Sequence, residues 1–367
     1  MLIKLFATSI FFSFLSSCSY LTPIERKEKT FRGAWSKNLD PSHATGNLPI
    51  ALNSPAIHEG ILYIGENEGY LSAYELSNGT PIFRVEDEGG HHGTPIIIGD
   101  YLIYGTNEGR VYSRHKHTGE INYSVDLGSS IETKAVYHRG QLFFHTRNHK
   151  IFCLDAETGK ILWAYKRSVP YLTTLQRAST PLVYKGKLYV GMADGHLAAF
   201  SLEEGTLLWE RKIVEGSKFI DTDIKPSVYK GQILTGSMNG EAYLLSASTG
   251  RVHRKLPWGM TRSPFRLKTG QLIFPQLNGE LIITDENLKV EKRFFVSKYS
   301  ISAISFWKGR LAVGTLGGEV LSVNLKNFKV DQIIQPGHGY SAIFGEMAAS
   351  EKYLAVFTSR NRLYVYR

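Results

Sequence analysis

Residues 139–163, RGQLFFHTRNHKIFCLDAETGKILW, hold three short apolar runs separated by two polar turns. The runs are rich in aromatic and β-branched residues, which suits strands and not helices. The opening of this stretch returns seven more times along the chain. Glu59-Gly60 precedes ILYIG, Gly99-Asp100 precedes YLIYG, and Lys185-Gly186 precedes KLYVG. Lys230-Gly231 precedes QILTG, Thr269-Gly270 precedes QLIFP, Lys308-Gly309 precedes RLAVG, and Glu351-Lys352 precedes YLAVF. The steps between these anchors are 40, 40, 46, 45, 39, 39 and 43 residues. A period near 40 with four strand-length runs per unit predicts an all-β, eight-bladed β-propeller of four-stranded antiparallel blades.

Two further turns repeat within the unit. Asn67-Glu68-Gly69, Asn107-Glu108-Gly109, Ala193-Asp194-Gly195, Asn239-Gly240 and Asn278-Gly279 supply the positive φ that tight hairpins require. The last turn is clearest in Asp155-Ala156-Glu157-Thr158-Gly159, followed four residues after the glycine by Trp163. Ser201, Gly205 and Trp209 keep the same offsets, and Phe83 and Tyr123 stand four residues after Gly79 and Gly119. This turn resembles the tryptophan-docking motif of pyrroloquinoline-quinone-type propellers. Its polar first residue can cap the turn, and its aromatic can pack on the neighbouring blade.

The eighth unit stops after three strands, at Leu363 to Arg367. Its missing outer strand is expected at the other end, in residues 31–39, with Trp35 in the role of Trp163 and Trp209. Such closure removes exposed sheet edges and fixes the blade number. A chain of 367 residues exceeds the usual size of a single core, but repeats that pack only on their neighbours escape that bound.

Ahead of the repeats, Lys4 and the apolar run from Leu5 to Leu15 form a leader too short to span a bilayer. Leu15-Ser16-Ser17-Cys18 resembles the bacterial lipobox, whose cysteine is acylated and becomes the first mature residue. Ser19 lacks the acidic group that resembles an inner-membrane retention signal, so the resemblance implies an outer-membrane lipoprotein facing the periplasm. The expected organisation is a signal peptide over 1–17, a lipidated tether over 18–30, and one propeller over 31–367. Cys153 is the second of two cysteines, so with Cys18 lipidated no internal disulfide forms. The net charge of +10 is spread without a dense basic block, which argues against nucleic acid.

The docking motif raises a quinone-dependent dehydrogenase as a rival. The chain has no adjacent cysteine pair and no evident carboxylate and asparagine set for a calcium–quinone site. His115 and His117 share a strand face and could bind one metal, but His115 occupies the capping position of its turn. His91-His92 reads as a loop among Gly89, Gly90 and Gly93. No nucleophile elbow is present. The expectation is a binding scaffold with no cofactor and no catalytic residues.

The two longest steps point to the binding region, because insertions map to loops. The extra residues fall in 168–181, with Leu172, Leu175 and Arg177, and in 215–226, with Asp221 and Asp223. Both should leave one face side by side. The residues alone fit either a partner patch or two longer loops with local turn bonds. Taken together, the lipobox, eight quinoprotein-like blades and this loop pair resemble the BamB-type lipoproteins of the outer-membrane β-barrel assembly machine. That resemblance implies that Asp221-Thr222-Asp223, Arg177 and the looser pair Leu172 and Leu175 dock the periplasmic POTRA region of BamA. It also implies a role beside unfolded outer-membrane proteins. The alternatives are another envelope partner or an anionic cell-wall polymer.

Overall fold

The computed structural model describes residues 29–42, 52–168, 178–214, 222–237, 241–337 and 341–367. Phe31–Arg367 forms one compact unit. Within it lie eight four-stranded antiparallel sheets arranged as an eight-bladed β-propeller. Blade 3 runs through Val136–His138, Gln141–His145, Lys150–Asp155 and Ile161–Lys166. Blade 4 repeats the order in Leu182–Tyr184, Lys187–Gly191, His196–Ser201 and Leu207–Lys212. Blades 1 and 2 occupy 56–86 and 96–126, and blades 5, 6 and 7 occupy 227–256, 265–295 and 301–334. Strand direction alternates, so the first and third turns of every blade lie on one face, termed lower. The second turns and the crossovers between blades lie on the other, upper face.

Closure follows the expected scheme. Gly33–Asn38 is the outer strand of blade 8 and pairs antiparallel with Arg362–Tyr366, Ser36 opposite Tyr364. The core is divided accordingly. Eight buried apolar clusters occur among the described residues, and each draws from two adjacent blades. Phe143, Ile151 and Cys153 of blade 3 meet Leu188, Val190 and Phe200 of blade 4 in one of them. Leu363 and Val365 of blade 8 meet Leu62 and Ile64 of blade 1 in another.

At the lower rim each outer strand reaches across to the third turn of the next blade. The indole Nε1 of Trp163 donates to Leu202 O at 2.9 Å, that of Trp209 to Ala247 O at 3.3 Å, and that of Trp35 to Leu76 O at 2.8 Å. Gly205, Gly250 and Gly79 lie under these rings with φ of 68°, 69° and 76°, and a Cβ there would run into the indole. Phe83 and Tyr123 cover Gly119 and Gly159 in the same way. Where the motif degenerates, other chemistry holds the position. Arg254 donates to Asn287 O at 2.8 Å and Leu288 O at 3.2 Å. Lys292 Nζ lies 5.1 Å from the centroid of the Phe328 ring. Gln332 Oε1 accepts the Phe31 N–H at 3.0 Å, so blade 7 grips the N-terminal strand itself. The polar first residue of the turn acts as the expected cap: Asp155 Oδ1 accepts from the Thr158 N–H at 2.8 Å and its hydroxyl at 2.7 Å.

Deleting residues 31–40 removes the outer strand of blade 8, Trp35 and the Gln332 partner together. The expected product aggregates through the bared edge of Arg362–Tyr366. A soluble truncation with a single cooperative melt would contradict closure by this strand.

Candidate partner-binding site

The crossovers that carry the expected binding residues connect blade 3 to blade 4 and blade 4 to blade 5. Leu172, Leu175, Arg177 and Asp221 lie outside the described residues, as does Cys18. Asp223 is described and half-buried. It stands between Thr222, fully buried, and Ile224.

The footings of both crossovers are described, and they converge. Ile213 and Val214 open the second crossover by donating to Gly195 O at 2.8 and 3.2 Å, and the Thr222 N–H closes it on Met192 O at 3.0 Å. The first crossover leaves from Arg167, whose guanidinium spans to the same blade 4 turn. Its Nε and Nη2 lie 2.8 and 2.6 Å from Asp194 Oδ2, and Glu210 Oε2 accepts from Nη1. His196 Nδ1 sits 3.0 Å from the other Asp194 oxygen. Burial pushes the Asp194 carboxyl up, but the Arg167 bonds and charge outweigh it and leave the group below the usual carboxylate range. Ser179, fully buried at the far end of the first crossover, donates its hydroxyl to Ile224 O at 3.3 Å and so joins the two loops directly. The segment Met192–Gly195 therefore holds three of the four loop ends, and Ser179 ties the fourth to its neighbour.

Two departures from the repeat mark this region and could have been read in the sequence. Arg167 stands where blades 2, 4 and 6 bury Leu127, Ile213 and Val296. His145 ends the second strand where Gly65, Gly105, Gly191 and Gly236 end theirs. Glycine at that place lets the crossover approach: a Cβ at Gly191 would strike Thr222 O, and one at Gly65 the His91 ring. His145 instead uses its ring, with Nδ1 3.0 Å from Ser179 O. Complete burial lowers its pKa to about 4 against the pull of that carbonyl, with His149 lowering it further. His145 is therefore the neutral donor to Ser179 near neutral pH.

The other histidines resolve differently. His115 Nδ1 accepts the Thr118 N–H at 3.3 Å, so it caps its turn, with the His117 ring 5.8 Å away. No cluster of three or more metal-ligating side chains occurs among the described residues. His91 is more than a loop residue. It is fully buried, with Nε2 3.2 Å from Asp87 Oδ2, which also accepts from Tyr104 at 2.7 Å. Arg114 Nη2 completes the group at 2.6 Å from Asp87 Oδ1. These side chains are at most 7% exposed, so no substrate reaches them and they clasp blade 1 to blade 2.

Fold and docking turns together define a quinoprotein-like β-propeller of the repeat-scaffold kind. A family model described as outer membrane protein assembly factor BamB matches residues 34–125 and 124–300. The chain belongs to that family. BamB of Yersinia pestis is 24% identical over 289 residues, 74% of this chain and 73% of that one. The crystal structure of BamB from Moraxella catarrhalis superposes with a TM-score of 0.76 at 19% identity, covering 92% of this chain and 99% of that one. The dehydrogenase subunit of a quinone alcohol dehydrogenase from Gluconobacter oxydans is 28% identical over 182 residues, which span 42% of this chain but 22% of that enzyme. The repeat is thus shared with enzymes, while the family model spans blades 1 to 6.

Two outcomes test the footing. In a double-mutant cycle, Arg167→Ala and Asp194→Ala should each destabilise, with a coupling of about 2 kcal/mol read from denaturant midpoints; additive losses would show that the pair is idle. For His145, the folded pKa lies below the unfolded one, so the unfolded state binds the proton first as pH falls below about 6.5. The site should cost about 2 kcal/mol of stability between pH 7 and pH 5. His145→Gly should flatten that part of the stability–pH curve.

Proposed function

We propose that this chain is a non-catalytic scaffold lipoprotein of the outer-membrane β-barrel assembly machine. Cys18, freed by removal of residues 1–17 and acylated, holds it to the periplasmic side of the outer membrane, and residues 18–30 serve as the tether. The paired crossovers dock the POTRA region of a BamA-like protein through Arg177, Asp221 and Asp223, with Leu172 and Leu175 as apolar anchors. Unfolded outer-membrane proteins are the clients that the docked propeller helps to present. No cofactor takes part.

The observation that carries this reading is the common footing of the two crossovers on blade 4, in a chain of the BamB family. Two loops whose ends are fastened to one turn and to each other leave the propeller at one place, which supports a shared docking site. The sequence of the two crossovers supplies carboxylates, an arginine and leucines, residue types from which a mixed protein interface can be built.

A pull-down from detergent-solubilised envelopes tests it, comparing wild type with the Arg177→Ala, Asp221→Ala, Asp223→Ala variant. The BamA-like protein should come down with wild type and be lost from the variant at unchanged melting temperature. Retrieval by both would leave the function and reject the site. Retrieval by neither would reject the assembly-machine reading.

A further inference from the structure

The lower face of blades 7 and 8 carries a charge imbalance that neither the fold nor the docking loops explain. Lys308 is at the first turn of blade 7, Lys326 and Lys329 at its third turn, and Lys352 at the first turn of blade 8; all four are exposed. None of them has a carboxylate within 4.0 Å among the described residues; the nearby Arg310 is the cation that pairs with Asp331. Glu351 is the one acid in these turns. Lys308 holds the place with φ of 49°, a conformation in which Asn, Asp or Gly would be less strained, and its ammonium stands 4.7 Å from the Trp307 ring centroid. Elsewhere on the lower rim acids offset or outnumber the cations, except on blade 5, whose turns carry Lys230 and Arg251 alone. Lys116 is bound between Glu59 and Asp100, and the third turns of blades 3, 4 and 6 carry Asp155, Glu157, Glu203, Glu204, Asp285 and Glu286. The largest excess, four lysines against Glu351, is on blades 7 and 8.

The same sector receives the N-terminal strand. Gly33 pairs with Tyr366 at the lower end of blade 8, and the Arg32 N–H and Arg367 O meet there at 3.3 Å. The chain preceding residue 31 therefore joins the propeller beside these lysines. With Cys18 as lipid attachment, the intervening segment reaches at most about 45 Å when fully extended.

We propose that the lower face of blades 7 and 8 lies on a bilayer surface carrying anionic phospholipid, with Lys308, Lys326, Lys329 and Lys352 among its headgroups. This rests on lipidation at Cys18 for the location of the bilayer, while the contact itself is electrostatic. A short tether raises the local lipid concentration, and clustered lysines then supply attraction that acts within a Debye length. On blades 3, 4 and 6 the acids of the third turns offset the cations beside them, so the attraction is strongest at blades 7 and 8 and the propeller stands tilted on this sector. The crossovers beside blade 4, on the opposite face and across the ring, are left free for protein.

Amine-acetylation footprinting of the lipidated protein tests this, in phosphatidylcholine vesicles and in the same vesicles doped with phosphatidylglycerol. The four lysines should react several-fold more slowly in the anionic vesicles, and high salt should abolish the difference. Lys212 and Lys225, towards the upper face, should not change. Lys→Gln substitution of the four should weaken the anionic contribution to vesicle binding about fivefold per charge. Equal reactivity in both vesicle types would overturn the proposal. So would protection by soluble peptidoglycan fragments without protection by vesicles, which would assign the patch to a polymer. Failure to float with neutral vesicles would refute the anchor alone, and the footprint in anionic vesicles would still decide the face.

Discussion

Every blade buries its flank only against the next blade, and the whole structure depends on that constraint. A four-stranded sheet with apolar residues on both faces cannot stand alone in water, and here each apolar cluster is shared across one boundary. The ring must therefore close, or two such flanks remain wet. Closure uses Gly33–Asn38, and the Trp35 indole binds blade 1 as Trp163 and Trp209 bind blades 4 and 5. Eight boundaries are then equivalent in kind, though Arg254, Lys292 and Gln332 replace the aromatic at three of them.

Equivalence leaves function to the exceptions. Blades 2, 4 and 6 follow their outer strands with a buried apolar residue, whereas blade 3 follows its own with Arg167 and sends that charge into blade 4. Blade 3 also replaces the usual glycine with His145, which holds Ser179 and, through it, the second crossover. These substitutions exchange ordinary packing for directed polar bonds where two lengthened loops must start and end together. Blade 1 makes a comparable exchange at Asp87, but there the polar groups are sealed inside the clasp with His91, Tyr104 and Arg114. Buried polarity therefore does not by itself mark the working surface. The neighbouring loop length separates the two cases.

Much of this was legible in the sequence because turns are local. Positive φ at Gly79, Gly159 and Gly205 follows from their place in a repeated phrase, and so do blade number and closure. The capping role of His115 was readable from its offset alone. What could not be read were bonds between residues far apart in sequence. The bond from Ser179 to Ile224 and the reach of Arg167 to Asp194 depend on how adjacent blades splay, which no local pattern encodes. The glycine-rich surroundings of His91 read as loop in the sequence and give no sign of its burial. Its ring fills the space left by Gly65 at the end of the second strand of blade 1. Lys308 is visible as one of the Lys-Gly pairs, but its grouping with Lys326, Lys329 and Lys352 on one sector needs the ring.

The two crossovers seated on blade 4 are proposed to act as one docking surface for the POTRA region of a BamA-like protein. Hydrogen–deuterium exchange of the propeller, alone and in complex with that region, measures it most directly. New protection is expected only in residues 168–181 and 214–226, with the turn at Met192–Gly195 slowed in step. Protection centred on another blade, or in one crossover without the other, would contradict a shared docking surface.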